Sequence, residues 1–326
     1  YLGYTMLSIA HNSWGSFLAD DYDERSRLFG WREIFIIIGM IFVLAIPATM
    51  DFFGQSSTRD KVAGMGLFCL ILFPLTVIPT LVAVPDKVAE RSEALGWQDM
   101  AGLLRSNPIL WRLLTADFTT SFAVSATAAL YIFFATYAFE LQNHASLALL
   151  LYFVAGFLAM PAWLKLAYRM GKVGAIKLAM GYTMVLQSGL FFVTEPGNVV
   201  LFWSYTFLAG LAFGATPTLL HSMMADLTDI DELKTGQKRA GMYFALLATI
   251  NKLGGAVAVG VTLTAADKLF NFTPGAANSQ AAIDGLLFIF CFAPAAALAL
   301  TYLPLYRYPL TKERHAEIRR TLSAEQ

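Results

Sequence analysis

Apolar runs about twenty residues long, separated by charged or Pro/Gly-rich breaks, constrain this chain more than any other feature. Nine are read along it, at approximately 1–19, 33–53, 62–84, 109–139, 145–167, 174–193, 198–224, 240–266 and 283–304. Runs of this length match the hydrocarbon thickness of a bilayer when helical, at 1.5 Å per residue. Barrel strands would instead show alternating segments of about ten residues. A helix satisfies its own backbone N–H and C=O groups, which lipid cannot do, so the expected fold class is an all-α polytopic membrane protein. Composition agrees: 57% of residues are hydrophobic and only 14% charged.

Basic residues orient the spans. When the intervening segments are assigned alternately to two sides, 19 of the 23 Lys and Arg residues fall on one side. The other side holds Arg59, Lys61 and Lys268, and Lys252 falls inside a span. The positive-inside rule makes the first side cytoplasmic, with the C-terminal tail inside and Tyr1 outside. The 23 basic and 23 acidic residues cancel, and nothing points to a nucleic-acid partner. Cys69 and Cys291 lie within apolar stretches, and no Cys/His cluster has metal-ligand spacing, so neither a disulfide framework nor a metal site is expected. No nucleophile–base pair or phosphate-binding glycine loop suggests an enzyme, and no cofactor is expected.

The chain begins at Tyr1 without an initiator Met or the basic flank of a signal peptide, and its true N-terminus is expected to lie upstream. The longest hydrophilic stretch, Pro85 to Pro108, separates three spans from six and carries an expected amphipathic segment around Trp97 to Leu104. Two acidic segments share a pattern: Asp20-Asp21-Tyr22-Asp23-Glu24-Arg25 after the first span, and Asp226 to Glu232 followed by Lys234 after the seventh. They are read as cytoplasmic loops at equivalent positions in two parallel six-helix halves. The organisation expected is 1–84 as helices four to six of a twelve-helix protein, 85–108 as a central cytoplasmic loop, 109–304 as helices seven to twelve, and 305–326 as a cytoplasmic tail.

At these two segments the sequence resembles the glycoside-pentoside-hexuronide:cation symporters, the melibiose permease-like group of the major facilitator superfamily. Asp21 to Leu28 with Trp31-Arg32 is similar to that family's segment between helices four and five. Ala225-Asp226 through Arg239, then Gly241-Met242-Tyr243-Phe244 and Asn251-Lys252-Leu253-Gly254-Gly255, is similar to its segment between helices ten and eleven. Tyr168 to Lys172 resembles a weaker superfamily signature. The resemblance implies a multi-pass monomer in the cell inner membrane that carries a sugar or glycoside-like solute together with H⁺ or Na⁺ by alternating access. Relatives of the family also include lysolipid carriers, and a transporter-like sensor is the remaining alternative. Ser8 and Asn12 stand where melibiose permease-like members carry a sugar-binding acid and tryptophan, so galactoside specificity does not carry over. The family's cation-binding acids lie mainly on helix two, which precedes the first span of this chain.

Several intramembrane polar residues are candidate substrate contacts. Lys252 costs roughly 2.5–3.5 kcal/mol at mid-span and is expected to face a pathway or to form an interhelical ion pair, with Asp117 as a conceivable partner. Thr249 shares its face and the resemblance points to the same lysine. Asp117 opens a polar stripe with Ser121 and Ser125 at i+4 and i+8, with Thr120 beside it, and is read as a pathway carboxylate or a helix-end ion-pair partner. Tyr4, Ser8, His11 and Asn12 share one face of the first span and suit either hydroxyl recognition or helix packing. Arg32 opens the second span, as a guanidinium fork for the solute or as a positive-inside residue. Gly210, Gly214 and Pro217 on the seventh span, like Met160-Pro161 on the fifth, are read as packing and kink positions. Asp229, Glu232, Lys234 and Arg239 are expected to form a cytoplasmic ion-pair gate. The sequon Asn271-Phe272-Thr273 precedes a proline and is given little weight.

Overall fold

A computed structural model describes residues 3, 6–7, 22–53, 57–84, 102–105, 107–236 and 239–309, with backbone only at 22–30, 32, 33, 51, 232 and 240. Among the described residues nine α-helices follow one another: α1 Tyr22–Phe52, α2 Thr58–Ala83, α3 Pro108–Phe133, α4 Ala145–Met170, α5 Lys172–Val193, α6 Val199–Leu211, α7 Ala215–Thr235, α8 Ala240–Phe270 and α9 Gln280–Leu305. A π-helical turn, Phe134–Ala138, extends α3, and a 3₁₀ turn, Gln142–His144, leads into α4. No described residue is in a strand. Seven helical stretches are long and apolar enough to cross a membrane, with Ile34–Met50 of α1 a shorter apolar run.

Each expected span from the second to the ninth is met by helix, whereas the first, 1–19, lies almost wholly outside the described residues. Two readings need correction. The acidic segments taken as loops are helical where described, because α1 begins at Tyr22 and α7 continues to Thr235. Apolar windows mark where a helix meets hydrocarbon, but its hydrogen bonds continue unchanged into the aqueous layer. The seventh span is likewise two helices, broken between Leu211 and Ala215 rather than kinked at Pro217. Gly214 adopts φ +78° there, a left-handed conformation that glycine takes without steric cost. Pro217 sits in the first turn of α7, where its missing N–H would be unpaired in any case. By contrast, α4 runs through Pro161 without a break.

A broken helix inside a bilayer must still pair its backbone. The Tyr182 hydroxyl donates to the Leu208 carbonyl at 2.8 Å and the Trp163 indole N–H to the Leu211 carbonyl at 2.6 Å. Side chains from α5 and α4 thus occupy acceptors at the C-terminal end of α6. The start of α3 is set by Asn107, whose Oδ1 accepts from the Leu110 N–H at 3.1 Å ahead of a proline at the first helical position.

Packing is centred on α3, which contacts α7, α8 and α9, while α4 packs on α6, α5 on α9, and α1 on both α2 and α4. One apolar core near the start of α3 gathers Leu113, Met180, Leu220, Met224 and Leu247; another, near its end, stacks Phe134 on Phe290 with ring centroids 4.0 Å apart. The segments that the basic residues assign to one side do meet. Arg112 donates to the carbonyls of Tyr306 and Arg307 at one end, and the Gly197 N–H donates to the Phe139 carbonyl at the other. None of the side chains of α2 is buried.

Gly210 shows how closely α4 and α6 approach, since a Cβ there would run into the Tyr152 carbonyl of α4. Gly210→Ala is expected to destabilise the protein by about 1–3 kcal/mol through overpacking. Gly189→Ala, where a Cβ meets nothing within 4 Å, is expected to leave stability unchanged or slightly raised. Thermal unfolding of the two variants in detergent measures the difference.

Candidate functional site

The interface of α3 with α8 carries a polar seam deep in the spans. Asp117 lies nine residues into α3 and Asn251 eleven residues into α8, about 14 and 17 Å from the respective helix starts at 1.5 Å per residue. Small residues allow the approach: a Cβ on Gly254 would lie 2.7 Å from the Phe118 carbonyl, and one on Gly255 would lie 3.0 Å from the Ser125 hydroxyl. The Ser121 hydroxyl donates to the Asn251 carbonyl at 2.6 Å, and Thr119 meets Thr301 of α9 hydroxyl to hydroxyl at 2.8 Å. The stripe Asp117, Ser121 and Ser125 therefore faces α8, and its serines take part in helix packing.

Asp117 is only 1% exposed. Its carboxyl lies within interaction range of Asn251 of α8 and His221 of α7. Its Oδ2 has no hydrogen-bond partner, nor has the neighbouring Thr120 hydroxyl. The conceivable pairing with Lys252 is not what the structure shows beside Asp117. On α8, Tyr243, Leu247, Gly254, Ala258 and Thr262 form the buried stripe, and Lys252 lies about 160° around the helix from Gly254 at 100° per residue. Lys252 is exposed on that far face together with Thr249, whose hydroxyl donates to the Ala245 carbonyl of its own helix.

Arg32 is in α1 by its backbone, with its side chain outside the described atoms. Tyr4, Ser8, His11 and Asn12 lie outside the described residues. The structure thus brings Asp117 to Asn251 and His221, neither of which was among the candidate substrate contacts read from the sequence.

Where α3 and α8 start and α7 ends, a chain of polar contacts ties the helices together. Asn107 donates from Nδ2 to the Tyr243 hydroxyl at 3.3 Å, and Asp231 lies within interaction range of that phenol. Asp231 accepts both Nε and Nη2 of Arg239, at 2.9 and 2.8 Å, the planar two-bond geometry that guanidinium and carboxylate share. Lys172, at the start of α5, pairs with Asp226 of α7. Burial pushes the nearby Tyr308 phenol above its usual range, with the Asp226 charge adding to the rise and Arg112 opposing it. Of the four expected gate residues, Arg239 is paired with Asp231, Asp229 is half-buried, Lys234 is exposed, and the Glu232 side chain lies outside the described atoms. Asp231, Asp226 and Lys172 were visible as charges in their motifs, but helix phase decides which charges meet.

A bundle of membrane-length helices with a carboxyl and hydroxyls buried along an internal seam belongs to the class of polytopic membrane proteins built around a polar interior. The chain is a member of the MFS/sugar transport protein family, which it matches over residues 1–312. It is 30% identical over 169 residues to an uncharacterized symporter of Synechocystis, covering 50% of this chain and 31% of that protein. It is 24% identical over 300 residues to the sodium-dependent lysophosphatidylcholine symporter 1 of Xenopus tropicalis, covering 89% and 56%. It is 25% identical over 337 residues to the putative glycoside/cation symporter YagG of Escherichia coli, covering 98% and 70%. The chain thus spans about a third of the first of these relatives and little more than half of the second.

Removing the Asp231 carboxylate takes its two-bond partner from the half-buried Arg239 guanidinium, so Asp231→Ala is expected to cost on the order of 3 kcal/mol. Adding Arg239→Leu is expected to recover most of that loss. A double-mutant cycle read from thermal melts gives the coupling directly.

Proposed function

We propose that the full-length protein is a symporter that moves a sugar or glycoside-like solute together with H⁺ or Na⁺ by alternating access. The observation that carries this reading is the polar seam of Asp117, Ser121 and Asn251 deep within membrane-length helices, since a buried intramembrane carboxyl is retained only at a cost. Family membership and relatives named as symporters support it.

On this reading 1–84 belongs to one six-helix half and 109–304 forms the other, joined by the cytoplasmic loop 85–108 and followed by the tail 305–326. Solute binds at mid-membrane between the halves. Lys252, on the face of α8 turned away from α3, points toward the facing half, with Thr249 one turn earlier on the same face and Arg32, Tyr4, Ser8 and Asn12 contributing from the other side. Asp231 and Arg239 fasten the cytoplasmic ends of α7 and α8, and Asp229, Glu232 and Lys234 extend that gate. The protein works as a monomer in the cell inner membrane, with its C-terminus in the cytoplasm.

A second reading has one specific support: the lysophosphatidylcholine symporter of Xenopus tropicalis aligns with 89% of this chain. The cargo would then be a lysolipid.

Reconstituted full-length protein, supplied in turn with labelled glycosides and lysophosphatidylcholine under an imposed Na⁺ or pH gradient, separates the two. Saturable glycoside accumulation that needs one of the gradients is expected, and Lys252→Ala is expected to lower it about tenfold or more, the worth of one charge-assisted hydrogen bond. Lysolipid uptake without glycoside uptake favours the second reading. No gradient-driven uptake of either contradicts both.

A further inference from the structure

Threonines within these helices satisfy their hydroxyls locally. Thr127 donates to the Ala123 carbonyl at 3.1 Å, Thr262 to Ala258 at 2.7 Å and Thr301 to Ala297 at 3.0 Å. Thr120 of α3, only 4% exposed, makes no such bond, and among the described residues its hydroxyl has no hydrogen-bond partner. One turn earlier on the same helix, Asp117 holds its Oδ2 buried in the same condition. Two buried polar oxygens a single turn apart thus call for a ligand, because an unsatisfied polar atom is costly to keep from water.

The donor set selects the ligand. At 100° per residue Thr120 and Ser121 lie roughly 60° and 40° to either side of Asp117, so the three side chains share one arc of α3. The Ser121 hydroxyl gives its hydrogen to the Asn251 carbonyl and keeps its lone pairs as acceptors, and the Asn251 amide lies within interaction range of the carboxyl. Carboxylate, hydroxyl and amide oxygens suit a hard cation. A single carboxylate balances a single positive charge, which favours a monovalent ion. Oδ2 and the Thr120 hydroxyl do not bond each other, so a proton on the carboxyl would leave the hydroxyl as it is, whereas a ligand with a radius of its own can reach both. Water has the size but brings no charge to a carboxylate that joins no ion pair of the described residues. Of the nearby cationic side chains, His221 has Nδ1 at 2.8 Å from the Pro217 carbonyl and its ring stacked on Phe244, and Lys252 lies on the opposite face of α8.

We propose that Asp117 and Thr120, with Ser121 and Asn251, form a Na⁺ site between α3 and α8. Na⁺ held there neutralises the carboxylate deep in the span and satisfies the Thr120 oxygen. The site is separate from Lys252 and Thr249 on the far face of α8, and its occupancy does not depend on the symport reading.

Equilibrium binding of radiolabelled Na⁺ to purified full-length protein tests this, at constant ionic strength with choline as the replacement cation. Asp117→Asn keeps the shape of the side chain and removes its charge. It is expected to lose one bound Na⁺ per protein, or to raise the half-saturating Na⁺ concentration about tenfold or more, the worth of one charge-assisted contact. Thr120→Val is expected to weaken binding in the same direction, and Thr120→Ser, which keeps the hydroxyl, to retain it. Na⁺ but not choline is expected to raise the melting temperature of the wild type, and to raise that of Asp117→Asn less. Na⁺ binding by Asp117→Asn equal to the wild type in stoichiometry and affinity overturns the proposal. Wild-type protein without Na⁺-specific binding overturns it too, and leaves water or a proton as the ligand of the two oxygens. If Asp117→Asn does not fold, Thr120→Val decides: weakened Na⁺ binding supports the site and unchanged binding overturns it. Intact Na⁺ binding without gradient-driven solute uptake is instead a failure of the symport reading alone.

Discussion

Where α3 crosses α8, the Phe118 carbonyl occupies the place a side chain on residue 254 would need, and the Ser121 hydroxyl reaches the Asn251 carbonyl at 2.6 Å. Helices in lipid gain little from burying apolar surface against one another, so close backbone approach and interhelical hydrogen bonds must hold them. This crossing supplies both at one depth. By fixing the rotation of both helices it brings Asp117 against Asn251 and turns the opposite face of α8, with Lys252, away from α3.

The same demand for paired backbone groups governs the rest of the bundle. The gap between α6 and α7 leaves carbonyls that Tyr182 and Trp163 occupy from neighbouring helices. At the start of α3, Arg112 covers the last carbonyls beyond α9, where a cation also suits the negative end of the helix dipole. The chain from Asn107 through Tyr243 to Asp231 and Arg239 ties α3, α7 and α8 at one end while the seam ties α3 and α8 in the middle. Two fastenings of different chemistry, an ion pair at one end and hydroxyl hydrogen bonds in the middle, therefore hold the same helices.

The helices were legible because a twenty-residue apolar run has few alternatives in lipid, and α2 through α9 appear close to where those runs lie. Helix beyond the hydrocarbon was not, since the polar residues of the first turns of α1 and the last turns of α7 look the same whether helical or looped. The i, i+4 spacing of Asp117, Ser121 and Ser125 revealed one polar face, wet or protein-facing, but not which groups of other helices would meet it, because partners on other helices leave no periodic trace. Lys252 was conspicuous as a cation within a span, yet its direction emerges only when the buried stripe of α8 supplies a reference angle. In the run from Asp226 to Glu232, four carboxylates compete for nearby cations, and only the phase of α7 selects Asp231 for Arg239 and Asp226 for Lys172. The residues Tyr4, Ser8 and Asn12 fall outside the described part of the chain.

A transport pathway along α8 requires that the far face of this helix meet water rather than acyl chains. Thiol labelling of Lys252→Cys in full-length protein decides this, in a Cys69→Ala background because Cys69 is exposed and Cys291 is buried. A charged, membrane-impermeant reagent is predicted to modify Lys252→Cys and to be blocked by transported solute, whereas Leu75→Cys on the apolar surface of α2 reacts only with a lipid-soluble one. Labelling of Lys252→Cys by the lipid-soluble reagent alone, as at Leu75→Cys, would contradict an aqueous passage along α8.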